Sequence, residues 1–340
     1  MNRKIAVSTL LIAGSFSLLG CSGKKEKQVV NCYMPSPAGL QAKFEEDFEK
    51  ANPNIDMVIT SGTTGELTAK IESEKSNPVC DVLILASWSD GIAALNNPDY
   101  DILSYTPKDG DKIIDAFKES TGKIWGTSSS AVGVIYNTDL VKKEDIEALD
   151  WKDFGDAAKW DSKTHPFSIP DPTKSGACKD FLAGFVTAAN GQEVLDSWVS
   201  NGITNGGGNK NAIAAVENGS VAALIGGVDY NAYVDKKAGK PIDIYYPKSG
   251  TVVNPRPAMI LKNGPHNDAA KKVMDYLCSD SAQQLVANAS LLPGKKGIDA
   301  ASTRSSLSDI AQFSNLDWNA MSRQGSTIAT NLVNAIKNRK

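Results

Sequence analysis

Histidine is almost missing from this 340-residue chain: His165 and His266 are the only two, and each stands beside a proline. The chain therefore has no His-Glu-x-x-His metal helix and little of the imidazole that most general-base chemistry uses. Gly-x-Ser-x-Gly and Walker A patterns are absent as well, and no carboxylate pair stands out as an acid–base couple. The five cysteines contain no Cys-x-x-Cys, which argues against a zinc site. No long Lys/Arg run occurs in the body, and the net charge is only −3. Nucleic acid is thus a poor partner, because phosphate-backbone binding needs a clustered basic surface. Lys24-Lys25-Glu26-Lys27 is the one locally basic stretch and reads as solvated linker. The sequence predicts neither an enzyme nor a cofactor or resident metal.

The N-terminus is the strongest local signal. Asn2-Arg3-Lys4 precedes an uncharged apolar run, Ile5 to Leu19. That run suits a secretory leader and is short for a membrane span of about 20 residues. It ends Leu18-Leu19-Gly20-Cys21, which resembles the bacterial lipobox. The resemblance implies a signal peptide over 1–20, acylation of Cys21 and a polar tether over 21–28. The protein is then expected in the periplasm or at the cell surface, held by lipid alone, since no second apolar stretch is long enough to span a membrane. Four cysteines remain: Cys32, Cys80, Cys178 and Cys278. Export permits disulfides in any of three connectivities, and plain buried thiols fit equally.

Length suggests two domains. Val29 to Met34 reads as a buried strand, broken by Pro35-Ser36-Pro37-Ala38-Gly39. Apolar residues at 40, 44 and 48 then predict a helix over 40–50. Strand 55–59, helix 66–75 and strand 81–86 follow, an alternation that predicts a parallel sheet with right-handed crossovers. The middle repeats the style, with strands at 131–136, 168–170, 221–225, 242–246 and 258–261. Helices are expected at 178–190, 191–201 and 210–218, and the C-terminal part reads as mostly helical. The Gly-rich segment 205–209 reads as a flexible loop. The expected class is α/β, and ligands of such sheets sit beyond the strand carboxyl ends or between lobes.

Three loops share one design: strand, small hydroxyl or glycine residues, then helix. They are 35–39, 61–66 and 174–177. A helix start offers free N–H groups and partial positive charge, and hydroxyls add donors. Phosphate or carboxylate is the natural guest, although Ser and Thr at such positions also serve simply as caps.

These loops, with Asn77-Pro78-Val79-Cys80-Asp81-Val82, Val132 to Asn137, Pro172 to Gly176, Ala214 to Gly219, Tyr246 to Thr251 and Leu291 to Gly294, resemble in order the periplasmic binding proteins of ABC importers. The likeness is to their ferric-ion and phosphate-ester class and runs from about Val29 to Lys295. It implies a type II two-lobed fold, each lobe a mainly parallel sheet flanked by helices. The implied N-terminal lobe is 29–127 with 252–300, and the C-terminal lobe 128–251 with 301–340. Hinge crossings fall near 126–131 and 247–257. The implied partners are a small anionic metabolite and an inner-membrane permease, served by a monomer.

Ferric-binding members place tandem tyrosines where this chain has Val228 and Asp229, a histidine near Ser36 or Pro37, and a glutamate near Ala86 or Ser87. Those ligands are missing here, so iron is the alternative. The resemblance implies instead a phosphorylated or phosphonylated metabolite, such as a hexose phosphate, 2-aminoethylphosphonate or pyridoxal phosphate. Its head group is expected at Ser36, Ser61, Thr63, Thr64, Ser175, Gly176 and Ala177. Asp229 is expected to accept from the ligand body or to cap a strand end, and Trp88 to wall the ligand or pack. Ser128 is expected to reach the cleft from the hinge. Arg256 is expected to meet the anion or to pair with a carboxylate, with pairing preferred.

Overall fold

The structure, a computed structural model, describes residues 27–339. The leader, Cys21 and most of the tether lie outside the described residues.

The first lobe begins with three strand–helix steps: β1 (Gln28–Met34) and α1 (Ala38–Ala51), β2 (Ile55–Ser61) and α2 (Thr64–Ser73), β3 (Val82–Ile84) and α3 (Trp88–Leu95). Leu40, Phe44 and Phe48 are buried on one side of α1, the stripe their spacing predicts. After β4 (Ile102–Leu103), β5 (Trp125–Asn137) crosses into the second lobe. There follow α4 (Lys143–Ile146), β6 (Phe167–Ile169), α5 (Gly176–Ala189), α6 (Gln192–Ser200), β7 (Thr204–Asn205), α7 (Asn209–Glu217), β8 (Ala223–Val228), α8 (Asp229–Lys237) and β9 (Ile242–Tyr245). The strand β10 (Val253–Leu261) returns to the first lobe, which α9 (Asn267–Leu277), α10 (Asp280–Asn288) and β11 (Leu292–Pro293) complete. A last crossing leads to the long α11 (Trp318–Asn338).

The outer strands pair in parallel, as strand–helix–strand order requires: β2 with β1, β1 with β3, β7 with β6 and β6 with β8. The two crossing strands are antiparallel to each other, with Val253 opposite Ala131 and Ala258 opposite Trp125. They join the lobe sheets into one path, β2-β1-β3-β10-β5-β8-β6-β7. Alternation along each strand splits the side chains between two faces. Val30, Cys32 and Met34 meet α1 and α9 on one face, while Tyr33 enters a second cluster with Leu83, Trp88 and Met259. In the second lobe, Val132, Val134 and Tyr136 face an aromatic core, and Ile135 faces the opposite cluster with Leu224 and Ile244. Phe185 and Trp198 stack in that aromatic core at 5.6 Å. Burying one such ring contributes about 1.5–3 kcal/mol.

Cys32, Cys80, Cys178 and Cys278 are buried free thiols, the second of the two states the sequence leaves open. Burial raises the pKa of all four, that of Cys278 to about 12, so they pack as small apolar groups. Asp81, in one of the family-like segments, is structural. It accepts from Asn31 N–H at 2.8 Å and His266 N–H at 2.7 Å, tying β1 to the start of α9.

Three helices go unforeseen in the sequence: α3, the short α4, and α8. α3 follows its strand after three residues without glycine or proline, and α8 follows β8 directly, the pair Gly226-Gly227 lying inside the strand. Ser87 caps α3 by accepting from Asp90 N–H at 3.0 Å, whereas α8 starts at Val228 with no side-chain cap.

The lobes also meet along a seam away from the crossing strands. Ser89 of α3 donates to Asp180 of α5 through its N–H (3.3 Å) and its hydroxyl. Lys179 pairs with Asp90 next to it. α11 packs on both α5 and α3.

Candidate functional site

Between the lobes lies a cavity of about 660 Å³. The first lobe contributes 35–37 after β1, 61–64 after β2, and Ala86. The second contributes 174–177 at α5, 208–211 at α7, and Val228, Tyr230, Asn231 and Asp235 at α8; Arg256 projects from the crossing strand β10.

Helix starts dominate the lining. At α1, Pro37 offers no side-chain cap, and the first backbone bonds are those of Leu40 and Gln41 N–H to Pro37 O (2.9 and 3.1 Å). At α7, Gly208 likewise offers none, and Asn211 N–H makes the first bond to Gly208 O at 2.9 Å. The N–H groups ahead of those bonds need acceptors from outside the helix. At α2 and α5 the hydroxyls do cap: Thr63 accepts from Glu66 N–H and Ser175 from Cys178 N–H, both at 3.3 Å. Thr64 Oγ1 accepts from Ala86 N–H at 3.1 Å, and Ser61 Oγ from Gln41 Nε2 at 3.0 Å. Each of these four hydroxyls is fixed through its oxygen and keeps its own proton to donate. Capping and ligand binding are thus compatible uses of the same side chain.

Arg256 is 1% exposed. Its guanidinium donates to Pro35 O and lies over the Tyr230 ring, 5.8 Å from the centroid. Its Nε has no partner. Burial lowers its pKa, while Tyr230 and Asp229 raise it. No carboxylate pairs with it among the described residues, so the preferred expectation of an ion pair is corrected. A buried guanidinium with an unused donor is costly unless an anion completes it. Lys174 and Lys210 line the same space from exposed positions. Against these three cations stands one carboxylate, Asp235, whose pKa burial and the neighbouring Glu217 raise to about 6.

Of the residues singled out in the sequence, the structure brings Ser36, Ser61, Thr63, Thr64, Ser175, Gly176, Ala177 and Arg256 to this one cavity. It places three elsewhere. Trp88 is packed in the first-lobe core, its N–H bonded to Asn254 Oδ1 at 2.9 Å. Ser128 is buried in β5 and borders a separate small space behind Ser36. Asp229 is fully buried at the first residue of α8, with its Oδ1 left without a partner. Its Oδ2 accepts from Arg304 at 2.6 Å, from Ala131 N–H at 3.0 Å and from the Tyr246 hydroxyl at 3.0 Å. It is neither a strand-end cap nor open to a ligand body. Tyr245 and Tyr246 do point apart: Tyr245 OH reaches Leu149 O at 3.2 Å, opposite to the Asp229 side. Sequence reasoning missed the role of the α7 start and the α8 residues Asn231 and Asp235, and weighed Tyr230 only as an oxygen for iron. The signal for the first was present, because 205–208 is itself a strand–glycine–helix junction and not a loose loop.

Among the described residues, no group of three or more His, Cys, Asp or Glu stands close enough to hold a metal ion. None of their helices is long and apolar enough to cross a membrane.

Comparison with known proteins gives a consistent result. The family model described as bacterial extracellular solute-binding protein matches residues 33–284. An uncharacterized protein of Haemophilus influenzae is 25% identical over 293 residues, covering 83% of this chain and 81% of that protein. The solved structure of iron-bound HitA from Pseudomonas aeruginosa superposes with a TM-score of 0.75 at 18% identity, over 90% of this chain and 99% of that one. AfuA from Actinobacillus pleuropneumoniae, solved with exogenous fructose-6-phosphate bound, gives 0.73 at 20% identity, over 93% and 98%. These likenesses give the fold, the type II periplasmic binding protein.

Proposed function

The chain belongs to the bacterial extracellular solute-binding proteins, components that bind small solutes and pair with ABC permeases, and from that premise we propose that it captures a small phosphorylated or phosphonylated organic anion between its lobes. The observation that carries this reading is Arg256, buried and lacking a carboxylate partner, beside a cavity to which four helix starts are turned. Backbone N–H groups at helix starts and a guanidinium together fit a tetrahedral dianion. The cavity volume of about 660 Å³ leaves room for an organic body beyond the head group. A hexose phosphate, 2-aminoethylphosphonate and pyridoxal phosphate are the candidates. The protein works as a monomer without catalysis, held to the membrane by a lipid on Cys21. Ligand touching both walls favours the closed arrangement, which the permease receives. The bodies that move are 29–127 with 252–300, and 128–251 with 301–340.

Ferric capture is the second reading, favoured by what HitA and the Synechocystis iron uptake protein A1, 23% identical to this chain, are named for. The cavity offers a hard cation only Tyr230 and Asp235 as anionic oxygens, a thin set for Fe³⁺. Calorimetry of the purified protein against the three phosphorus compounds and their phosphorus-free parents tests the proposal. At least one compound binds tightly and its parent does not. Equal affinity for compound and parent contradicts the proposal, and a coloured, iron-loaded protein supports the alternative.

A further inference from the structure

The cavity has two chemically different walls. Hydroxyl loops and Arg256 form one. The other, from α7 and α8, presents Asn209, Asn211, Asn231 and Asp235, together with the exposed Lys210. Asp235 is half-buried and is the one carboxylate in the lining. Lys236 pairs with Asp243 at 2.7 Å, and Lys240 with Glu217 at 3.4 Å, from where its charge also reaches Asp235. Glu217, the last residue of α7, stands against Asp235 and with burial raises its affinity for a proton. Two adjacent carboxylates, one of them facing the cavity, are relieved better by a positive charge than by a neutral hydroxyl. Asn209 lines the same wall, and its Oδ1 is buried with no partner, an acceptor lacking a donor. An ammonium group carries three donors and no acceptor, and so suits both oxygens.

Building on the anion reading, we infer that the ligand is zwitterionic: its phosphate or phosphonate lies at Arg256 and the helix starts, and a primary ammonium on its body lies at Asp235 with Asn209. Asp235 is then the specificity residue of the site. It separates amine-bearing organophosphorus compounds from sugar phosphates, which carry hydroxyls alone.

The test is calorimetry with 2-aminoethylphosphonate and propylphosphonate, in which a methyl replaces the ammonium at equal chain length. Glucose 6-phosphate is the third probe, and Asp235→Asn the variant. The native protein is expected to prefer the amine by about 10-fold or more, the size of one charge-assisted hydrogen bond. In Asp235→Asn, checked for an unchanged thermal melt, that preference collapses to within about 3-fold. Equal binding of the two phosphonates by the native protein overturns the inference, as does a preference that survives in Asp235→Asn. Binding of glucose 6-phosphate without either phosphonate overturns the ammonium while leaving the anion reading standing. Failure of all three probes overturns the inference, and the anion reading falls with it when pyridoxal phosphate also fails to bind.

Discussion

The two places where the lobes meet are opposites. The cavity is a surface left unfinished: α1 and α7 start without side-chain caps, and Arg256 Nε has no partner. The seam of α3, α5 and α11 is finished by the chain itself, with Asp180 holding Ser89 and Lys179 holding Asp90. Gly176 sits at the boundary. It lines the cavity, yet a Cβ there would lie 2.9 Å from Ser87 Cβ across the lobe interface. Polar groups satisfied within the protein hold an arrangement, and polar groups left over are available to a guest. Asp229 combines the two: it lies fully buried at a helix start beside the cavity, Arg304 holds its Oδ2, and its Oδ1 has no partner.

Breaking the finished side most severely gives the largest effect. Asp229→Ala leaves Arg304 a buried, unpaired charge, since both side chains are fully inaccessible. A loss of about 3–5 kcal/mol is expected, read by chemical denaturation. The next effect falls on the unfinished side. Arg256→Met removes the buried cation and should weaken the best phosphorus ligand by about 100-fold, or about 2.7 kcal/mol, with the fold intact by circular dichroism. Ser175→Asp sharpens the same point, because a carboxylate placed at the α5 start repels an anion; ligand binding should drop below detection in calorimetry. At the boundary, Gly176→Ala should weaken binding by about 10-fold, and scattering should show less compaction with ligand, because Ser87 must move for the lobes to meet.

The smallest effect is on pH. Burial and Asp90 raise the Asp180 carboxyl to about 6 against Lys179, which lowers it. The folded protein therefore holds that proton more tightly than the unfolded chain, whose carboxyl titrates near 4. The stability this provides is present below about pH 4 and is lost as pH rises to about 6. Thermal melts at pH 5 and 7.5 should show native protein gaining on Asp180→Asn at the lower pH. A gap independent of pH would remove Asp180 from the account.

Much of this contrast was legible in the sequence, and what was not has a local cause. The loops at 35–39, 61–66 and 174–177 were visible because proline, glycine and hydroxyl residues interrupt apolar runs there, and all three reach one cavity. Trp88 and Asp229 misled because α3 begins three residues after β3 and α8 directly at the end of β8. A side chain read as projecting from a strand tip is instead turned inward by the first helical turn. The 205–209 segment misled in the other direction, since three glycines look like slack but form a helix start. The isolation of Arg256 was beyond reach. Its acceptor, Pro35 O, is 221 positions away, and the absence of a carboxylate is a property of the packed structure.

Phosphorus NMR of what the protein carries tests the central claim most directly. The protein is saturated with the low-molecular-weight fraction of a bacterial extract, washed and denatured, and the released solute is examined. The account predicts a single phosphate- or phosphonate-bearing compound in amounts matching the protein. Release of a phosphorus-free solute, or of iron alone, would contradict it.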